Sequence, residues 1–175
     1  DFDFYRPRYP ELAHLNSVRL RDHFASIGQS EGRVALSWLR SSLVLPPVMP
    51  DGRDRVLVAL EDAHPSTTTA QALSLIRGLS QHYHVVTVLT AGGDMARAIT
   101  DASGTAVVLN DSRALAGEDA RLLTAELREE FQPVFAVTCS VASRAMAVAL
   151  EQSGIPVVAL VGKHASALSQ HGNLL

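Results

Sequence analysis

Short, uninterrupted apolar runs alternate with stretches of helical character through most of the chain. The runs cover residues 56–60, 84–90, 106–109, 134–138 and 156–161. None of them alternates with polar residues, which is typical of strands that are covered on both faces. Between the runs, apolar residues recur at helical spacing. Strands that alternate with helices five times predict a parallel sheet with right-handed crossovers.

The predicted helices each carry an apolar stripe on one face. The stripe of the first helix is Ala72, Leu73, Ile76 and Leu79, that of the third is Leu122, Leu123, Leu127 and Phe131, and the second and fourth helices are predicted over 95–102 and 142–152. Gly104 and Gly154 follow the second and fourth helices, where a left-handed C-cap favours glycine. We therefore predict an α/β fold over 55–175, a Rossmann-like three-layer domain with a parallel sheet of five strands or slightly more.

The first 54 residues have a different pattern. Residues 1–33 are rich in aromatic and charged side chains, and a broken apolar stripe predicts a small appendage of two short helices. Residues 34–54 contain repeated prolines, which exclude a regular helix or a central strand. We interpret this segment as a linker. Its apolar half, which includes Trp38, is expected to pack on the neighbouring domain because a free linker would expose it to water.

Composition narrows the class of protein. The chain has 175 residues, of which 47% are hydrophobic, so it can bury an ordinary globular core. A net charge of -3 offers no basic field for nucleic acid. No apolar run approaches the roughly 20 residues of a membrane span. A single cysteine, Cys139, excludes an intrachain disulfide and suits a reducing compartment, so we expect a cytoplasmic protein. Because the chain begins at Asp1, we expect it to be a segment of something longer.

The predicted fold also predicts where a ligand binds. In open parallel sheets, ligands lie outside the carboxyl ends of the strands, where the strand order reverses. With the order 3-2-1-4-5, the crevice opens between the first and fourth strands. The candidate ligand-facing residues at the strand ends are Asp62, His64, Ser66, Thr67, Gly92, Gly93, Thr138, Cys139, Ser140, Lys163 and His164. No catalytic role is assigned to any of them.

Several of these residues have an ordinary structural interpretation beside the functional one. Ser66 or Thr67 either caps the first helix or helps its free amides to bind an anion or a sugar hydroxyl. The pair Gly92-Gly93 either forms a tight turn or lets the backbone approach a ligand closely. For Cys139 we favour a small buried hydrophobe over a nucleophile, because the sequence places no base beside it.

The histidines and serines leave similar alternatives. His64 and His164 are either exposed loop residues or groups that exchange protons near neutral pH. His82 and His84 share one face at strand spacing, but two ligands at the entry of a strand are usually solvated, so we predict no metal site. The fourth helix is expected to be capped by a serine of the preceding loop, either Ser140 or Ser143.

Two parts of the sequence resemble known glycosyltransferases. The segment 135–143, followed by Ser153-Gly154-Ile155-Pro156-Val157-Val158, resembles the fourth strand, helix and fifth strand of the N-terminal domain of bacterial GT-B enzymes of family 4, also called group 1. The appendage is similar to a short helical repeat of bacterial polysaccharide glycosyltransferases. The residues that carry this second resemblance are Phe2-Asp3, Tyr5, Tyr9-Pro10-Glu11-Leu12, His23-Phe24, Gly28 and Glu31-Gly32-Arg33.

The resemblance implies an enzyme of two Rossmann domains, of which this half faces the acceptor. A C-terminal Rossmann domain of the same full-length chain would bind the nucleotide-sugar, which is a co-substrate and not a tightly bound cofactor. The acceptor would be a saccharide or a lipid-linked saccharide of bacterial surface polysaccharide synthesis. The resemblance further implies retention of anomeric configuration, no obligatory metal, peripheral association with the inner face of the plasma membrane, and no activity of this half alone.

The sequence departs from the family pattern in two loops. The glycine pair of the first loop is replaced by residues 64–68, whose side chains and proline restrict close approach of the backbone to a phosphate. After the fifth strand, the family's histidine and acidic residue are replaced by Gly162-Lys163-His164. These changes predict either a different acceptor or a domain that binds without catalysis.

Two other functions fit parts of the sequence. A receiver domain of two-component signalling needs acids after the first strand, an aspartate to be phosphorylated after the third, a hydroxyl after the fourth and a lysine after the fifth. The chain offers Glu61-Asp62, Asp111, Thr138 and Lys163 at these places. However, residues 110–112 lack the apolar, proline-bearing loop that normally follows the phosphorylated aspartate. The other alternative is a non-catalytic saccharide-binding module.

Overall fold

The computed structural model describes residues 1–33, 35, 37–45, 52–109, 117–140 and 143–160. The predictions that concern Asp111, Lys163 and His164 lie outside these residues. Residues 1–33 form a small helical unit, which we call the N-terminal module. It consists of α1 (Phe2–Arg8), a 3₁₀ turn (Pro10–Leu12), α2 (Ser17–His23) and a π-helical turn (Phe24–Gly28).

The remaining elements form the α/β domain, which also includes two short elements of the predicted linker. They are α3 (Trp38–Ser41), β1 (Leu43–Leu45), β2 (Arg55–Leu60), α4 (Thr67–Leu79), β3 (His84–Leu89), α5 (Ala96–Ala102), β4 (Thr105–Val108), α6 (Gly117–Phe131), β5 (Phe135–Thr138), α7 (Arg144–Gln152) and β6 (Val157–Ala159). The six-stranded sheet has the order β1-β4-β3-β2-β5-β6. Strands β2 to β6 are parallel, so the predicted order 3-2-1-4-5 and the Rossmann-like fold class are confirmed.

A hydrophobic core lies on each face of the sheet. Strand β2 shows why its sequence has no polar alternation: Leu57 and Ala59 belong to the core shared with α6 and α7, whereas Val56, Val58 and Leu60 belong to the core shared with α4 and α5. Both sets of side chains are thus removed from water. Pairing with β3 on one side and β5 on the other places β2 inside the sheet, with its carboxyl end beside that of β5.

The segment 34–54 has more regular structure than the predicted linker. Trp38 begins a helical turn and packs against the core, as expected of its apolar half. The sequence excluded a central strand from this segment but did not reveal the edge strand β1, which pairs antiparallel with β4, with Leu43 opposite Val108. Strand β1 lies at the edge of the sheet, where only one side needs ladder hydrogen bonds, so prolines nearby in sequence do not exclude it.

The two glycines that were predicted as C-caps have different roles. Gly154 follows α7 with a φ of 78°, as predicted. For Gly104 the prediction was wrong, since it is not among the glycines with positive φ. A Cβ there would lie 2.6 Å from the ring of His84, so glycine is needed for the close approach of this ring to the backbone.

His84 is buried and lies 3.0 Å from the hydroxyl of Thr105, which corrects the expectation that both His82 and His84 are solvated. His82 is exposed in the preceding turn.

The N-terminal module has a core of its own and is attached to α6. Tyr5, Leu12 and Leu20 are buried together. Arg8 of the module lies 3.9 Å from the carboxylate of Glu126 on α6. The same carboxylate accepts hydrogen bonds from Ser37 Oγ at 2.6 Å and from the backbone N–H of Leu39 at 3.1 Å, in the segment that follows the module. A carboxylate at the N-terminus of α3 also balances the unpaired N–H groups there.

Candidate functional site

A cleft with a volume of about 130 Å³ opens at the carboxyl ends of β2 and β5. Its lining residues are Leu60, Glu61, Asp62, Ser66, Thr68, Thr69, Cys139 and Ser140. From β2 the chain adds β3 and β4 on one side of it and then adds β5 and β6 on the other side. The cleft therefore lies at the reversal of strand order, where the sequence predicts the ligand site.

The loop between β2 and α4 satisfies its own backbone amides. Asp62 Oδ1 accepts a hydrogen bond from the N–H of His64 at 2.9 Å. Ser66 is the N-cap of α4, and its Oγ accepts from the N–H of Thr69 at 3.0 Å. The predicted capping role of Ser66 is confirmed. Because two amides of this loop have internal partners, fewer remain for a phosphate than in an uncapped helix N-terminus.

The charged side chains that line the cleft are acidic. Glu61 is exposed and Asp62 is half-buried, and no Lys, Arg or His is among the described residues that line the cleft. A phosphate would face two carboxylates, opposed only by the partial positive charge at the start of α4. Hydroxyl groups of Ser66, Thr68 and Ser140 donate and accept hydrogen bonds. The lining is therefore better suited to a neutral ligand rich in hydroxyl groups than to an anion.

The pair Gly92-Gly93 packs against the loop between β2 and α4. The N–H of Ala63 donates to the carbonyl of Gly92 at 3.3 Å, and the N–H of Met95 donates to the carbonyl of Ala63 at 2.8 Å. A Cβ on Gly93 would collide with the backbone of Ala63 and lie 2.6 Å from the nitrogen of His64. The close approach that glycine permits is thus to the chain itself, and neither glycine lines the cleft.

The end of β5 forms the opposite wall. Thr138 is buried and its carbonyl accepts from the N–H of Leu160 at 2.8 Å, so it serves the sheet. Cys139 is also buried, and burial raises its pKa to about 11. It is a neutral thiol at neutral pH, which agrees with the prediction of a buried hydrophobe. Ser140 Oγ accepts from the N–H of Ser143 at 3.2 Å just before α7, and Ser143 makes no side-chain cap of its own.

The structure brings together only part of the predicted site. Of the candidates, Asp62, Ser66, Cys139 and Ser140 line the cleft, whereas His64, Thr67, Gly92, Gly93 and Thr138 do not. The cleft also includes Glu61, Thr68 and Thr69, which were not among the candidates. The latter two occupy the first turn of α4 directly after its cap, and this position in sequence was the signal for them.

Within the described part of the chain, no group of three or more His, Cys, Asp or Glu side chains is placed to hold a metal ion. None of its helices is both long and apolar enough to cross a membrane.

The strand order bears on the receiver-domain alternative. Receiver domains have the flavodoxin-like order 2-1-3-4-5, in which the first strand lies beside the third. Here the first parallel strand, β2, lies between β3 and β5, and the third, β4, is separated from it. The topology therefore argues against a receiver domain, although the acids after β2 match one.

Comparison with known proteins gives no family. No family model matches the chain and no curated protein resembles it in sequence. Among solved structures, Phytolacca americana UGT2 complexed with UDP-2fluoro-glucose and pterostilbene has a TM-score of 0.46 at 13% identity, over 70% of this chain and 36% of its own. A glycotransferase of kitacinnamycin has a TM-score of 0.44 at 19% identity, over 67% of this chain and 34% of its own.

The chain thus spans about a third of the length of these two structures. At such identities and TM-scores, the likeness transfers no function. The fold class rests on the strand order of the chain itself.

Proposed function

We propose that this chain is the acceptor-side half of a glycosyltransferase that moves a sugar from a nucleotide-sugar donor to a saccharide or lipid-linked acceptor in bacterial surface polysaccharide synthesis. The observation that carries the proposal is the cleft between β2 and β5, whose polar lining consists of hydroxyls and carboxylates without a cation among the described residues. Such groups pair with sugar hydroxyls, which both donate and accept hydrogen bonds.

In this proposal the cleft orients an acceptor and does not hold the donor phosphates. Thr68 lines the cleft from the first turn of α4 and Ser140 lines it from the end of β5. Asp62 also lines it, with one carboxylate oxygen already accepting from the N–H of His64. The other oxygen of Asp62 has capacity for an acceptor hydroxyl. The nucleotide-sugar is bound by a C-terminal Rossmann domain of the full-length chain. Cys139 takes no part in nucleophilic chemistry, because its raised pKa keeps the thiol protonated.

Binding is tested with a matched pair of variants in the first turn of α4. Thr68 lines the cleft, whereas its neighbour Thr67 is exposed and does not. Thr68→Trp fills the cleft, and Thr67→Trp adds the same side chain beside it. In saturation-transfer NMR with maltotriose as probe, we expect contact signals with the wild-type chain and with Thr67→Trp, and at least a several-fold loss with Thr68→Trp. Equal signals from the two variants would contradict the proposed site.

A second measurement separates anion binding from sugar binding. Inorganic phosphate, added to the maltotriose sample at matched ionic strength, is expected to leave the sugar signals unchanged because the cleft carries two carboxylates and no described cation. Competition by phosphate would mean that the cleft binds the donor side of the reaction.

Turnover distinguishes an enzyme from a binding module. A full-length chain that contains these residues is expected to transfer the sugar of a nucleotide-sugar to the acceptor and to release a nucleoside diphosphate, and Thr68→Trp is expected to slow that release. Saccharide binding without turnover in that chain would instead establish the non-catalytic module, and absence of both would refute the proposed function altogether.

A further inference from the structure

The two carboxylates of the cleft between β2 and β5 have no opposite charge beside them in the described structure. Glu61 makes no ion pair with a described residue, and Asp62 accepts one hydrogen bond, from the backbone N–H of His64. Two like charges that line the same small cleft repel each other. A ligand with a positive charge relieves this repulsion, whereas a neutral ligand does not.

Two uncharged polar groups of the lining also lack partners. Cys139 is 6% exposed, and its thiol makes no hydrogen bond with a described residue. The hydroxyl of Thr68 is likewise without a hydrogen bond to any described residue. A thiol donates and accepts weakly, and a hydroxyl does both well. Because one of these groups is almost fully buried in the wall, a ligand in the cleft is the partner that remains for it.

The volume of the cleft limits how much of a ligand it can hold. At about 130 Å³ it is slightly smaller than the engineered cavity of about 150 Å³ that takes up one benzene molecule. The cleft opens at the carboxyl edge of the sheet, so the rest of a longer ligand extends outward. The groups that meet Glu61 and Asp62 therefore belong to a single terminal ring.

We propose that the acceptor ends in an amino sugar, whose ring occupies the cleft and whose ammonium group pairs with Glu61 and Asp62. An ammonium group has three donors and no acceptor, which matches carboxylates that only accept. The hydroxyls of the ring pair with Thr68 and Ser140. This inference rests on the proposed function and names the class of its acceptor. It also implies that N-acetylated sugars are poorer acceptors, because acetylation removes the charge.

Glucosamine and glucose form a matched pair of probes, because an amine replaces one hydroxyl of the ring. They are titrated separately in saturation-transfer NMR at about pH 6, below the pKa of about 8 that is typical of such an amine. We expect the wild-type chain to bind glucosamine about fivefold or more tightly than glucose, and added salt to reduce this preference. Thr68→Trp is expected to lose the signals of both sugars, which assigns them to the cleft.

Two double variants then test the carboxylates. Glu61→Gln/Asp62→Asn removes both charges and nearly preserves the shape, and an asparagine oxygen can still accept from the N–H of His64. This variant is expected to bind glucosamine no better than glucose. Glu129→Gln/Glu130→Gln removes the same charge from exposed positions of α6 outside the cleft, so it is expected to keep the wild-type preference.

Three results would overturn the amino-sugar acceptor. They are equal affinity of the wild-type chain for the two sugars, a preference that survives Glu61→Gln/Asp62→Asn, and a preference that is lost in the α6 control. If glucose and maltotriose still bind in those cases and are lost in Thr68→Trp, the saccharide site stands without the amino-sugar preference. Absence of binding by all three sugars would refute the saccharide site as well.

Discussion

The contact between the two loops at the carboxyl edge of the sheet predicts unequal effects for two adjacent glycines. In Gly93→Ala, the new methyl group meets the backbone of Ala63 and lies 2.6 Å from the nitrogen of His64, and backbone cannot rotate away as a side chain does. Overpacking of this kind costs about 1–3 kcal/mol. Separating the loops also breaks the hydrogen bonds from Ala63 to Gly92 and from Met95 to Ala63, at about 0.5–1.5 kcal/mol each.

Together these terms predict a loss of about 2–6 kcal/mol in the free energy of unfolding of Gly93→Ala. With a urea m-value of about 1–3 kcal/mol/M, the unfolding midpoint falls by roughly 0.7 M or more. Gly92→Ala is the matched control. A Cβ there meets nothing within 4 Å, so the change is expected to be neutral or to stabilise by about 0.4–1 kcal/mol through the unfolded state. Equal midpoints for the two variants would refute the loop contact as the reason for Gly93.

Three further predictions concern the contact between Gly104 and His84 and the two walls of the cleft. Gly104→Ala drives a methyl group into the ring of His84 and is expected to lower the thermal midpoint, whereas Gly78→Ala, which meets nothing within 4 Å in α4, is expected to raise it. Ser66→Ala removes the cap of α4 and is expected to cost about 1 kcal/mol in urea unfolding, with no such loss in Ser66→Asp. The raised pKa of Cys139 means that its neutral thiol contributes stability that is complete below pH 9.0 and is lost as the pH rises toward about 11. Cys139→Ala is expected to flatten the fall in unfolding free energy over that interval, and an unchanged slope would show that the thiol is not the group that titrates.

Much of the site could be predicted because it depends on local rules. The apolar runs predict the strands, and their alternation with helices predicts a parallel sheet. The position of the crevice follows from that sheet. The cap at Ser66 and the burial of Cys139 follow from preferences of single residues in short stretches of sequence. These features need no knowledge of which distant residue lies opposite.

The features that the sequence did not reveal involve partners that are distant in sequence. Strand β1 is recognisable only by its pairing of Leu43 with Val108, since three apolar residues near prolines also fit a linker. Gly104 fits the position of a C-cap, and only the ring of His84 reveals why it is glycine. Likewise, the partner of Gly93 is a backbone segment of another loop. Tertiary contact overrides local preference at each of these places.

The attachment of the N-terminal module through Glu126 has a consequence for the order of events during synthesis. The core of Tyr5, Leu12 and Leu20 is local, so it can form as soon as the first helices leave the ribosome. Glu126 of α6, which pairs with Arg8 of the module, is made much later, after β4 has provided the edge on which β1 pairs. We therefore expect the module to be folded but not yet in contact with α6 while the sheet is completed. During that interval Trp38 and Leu39 are exposed to solvent and to other nascent chains.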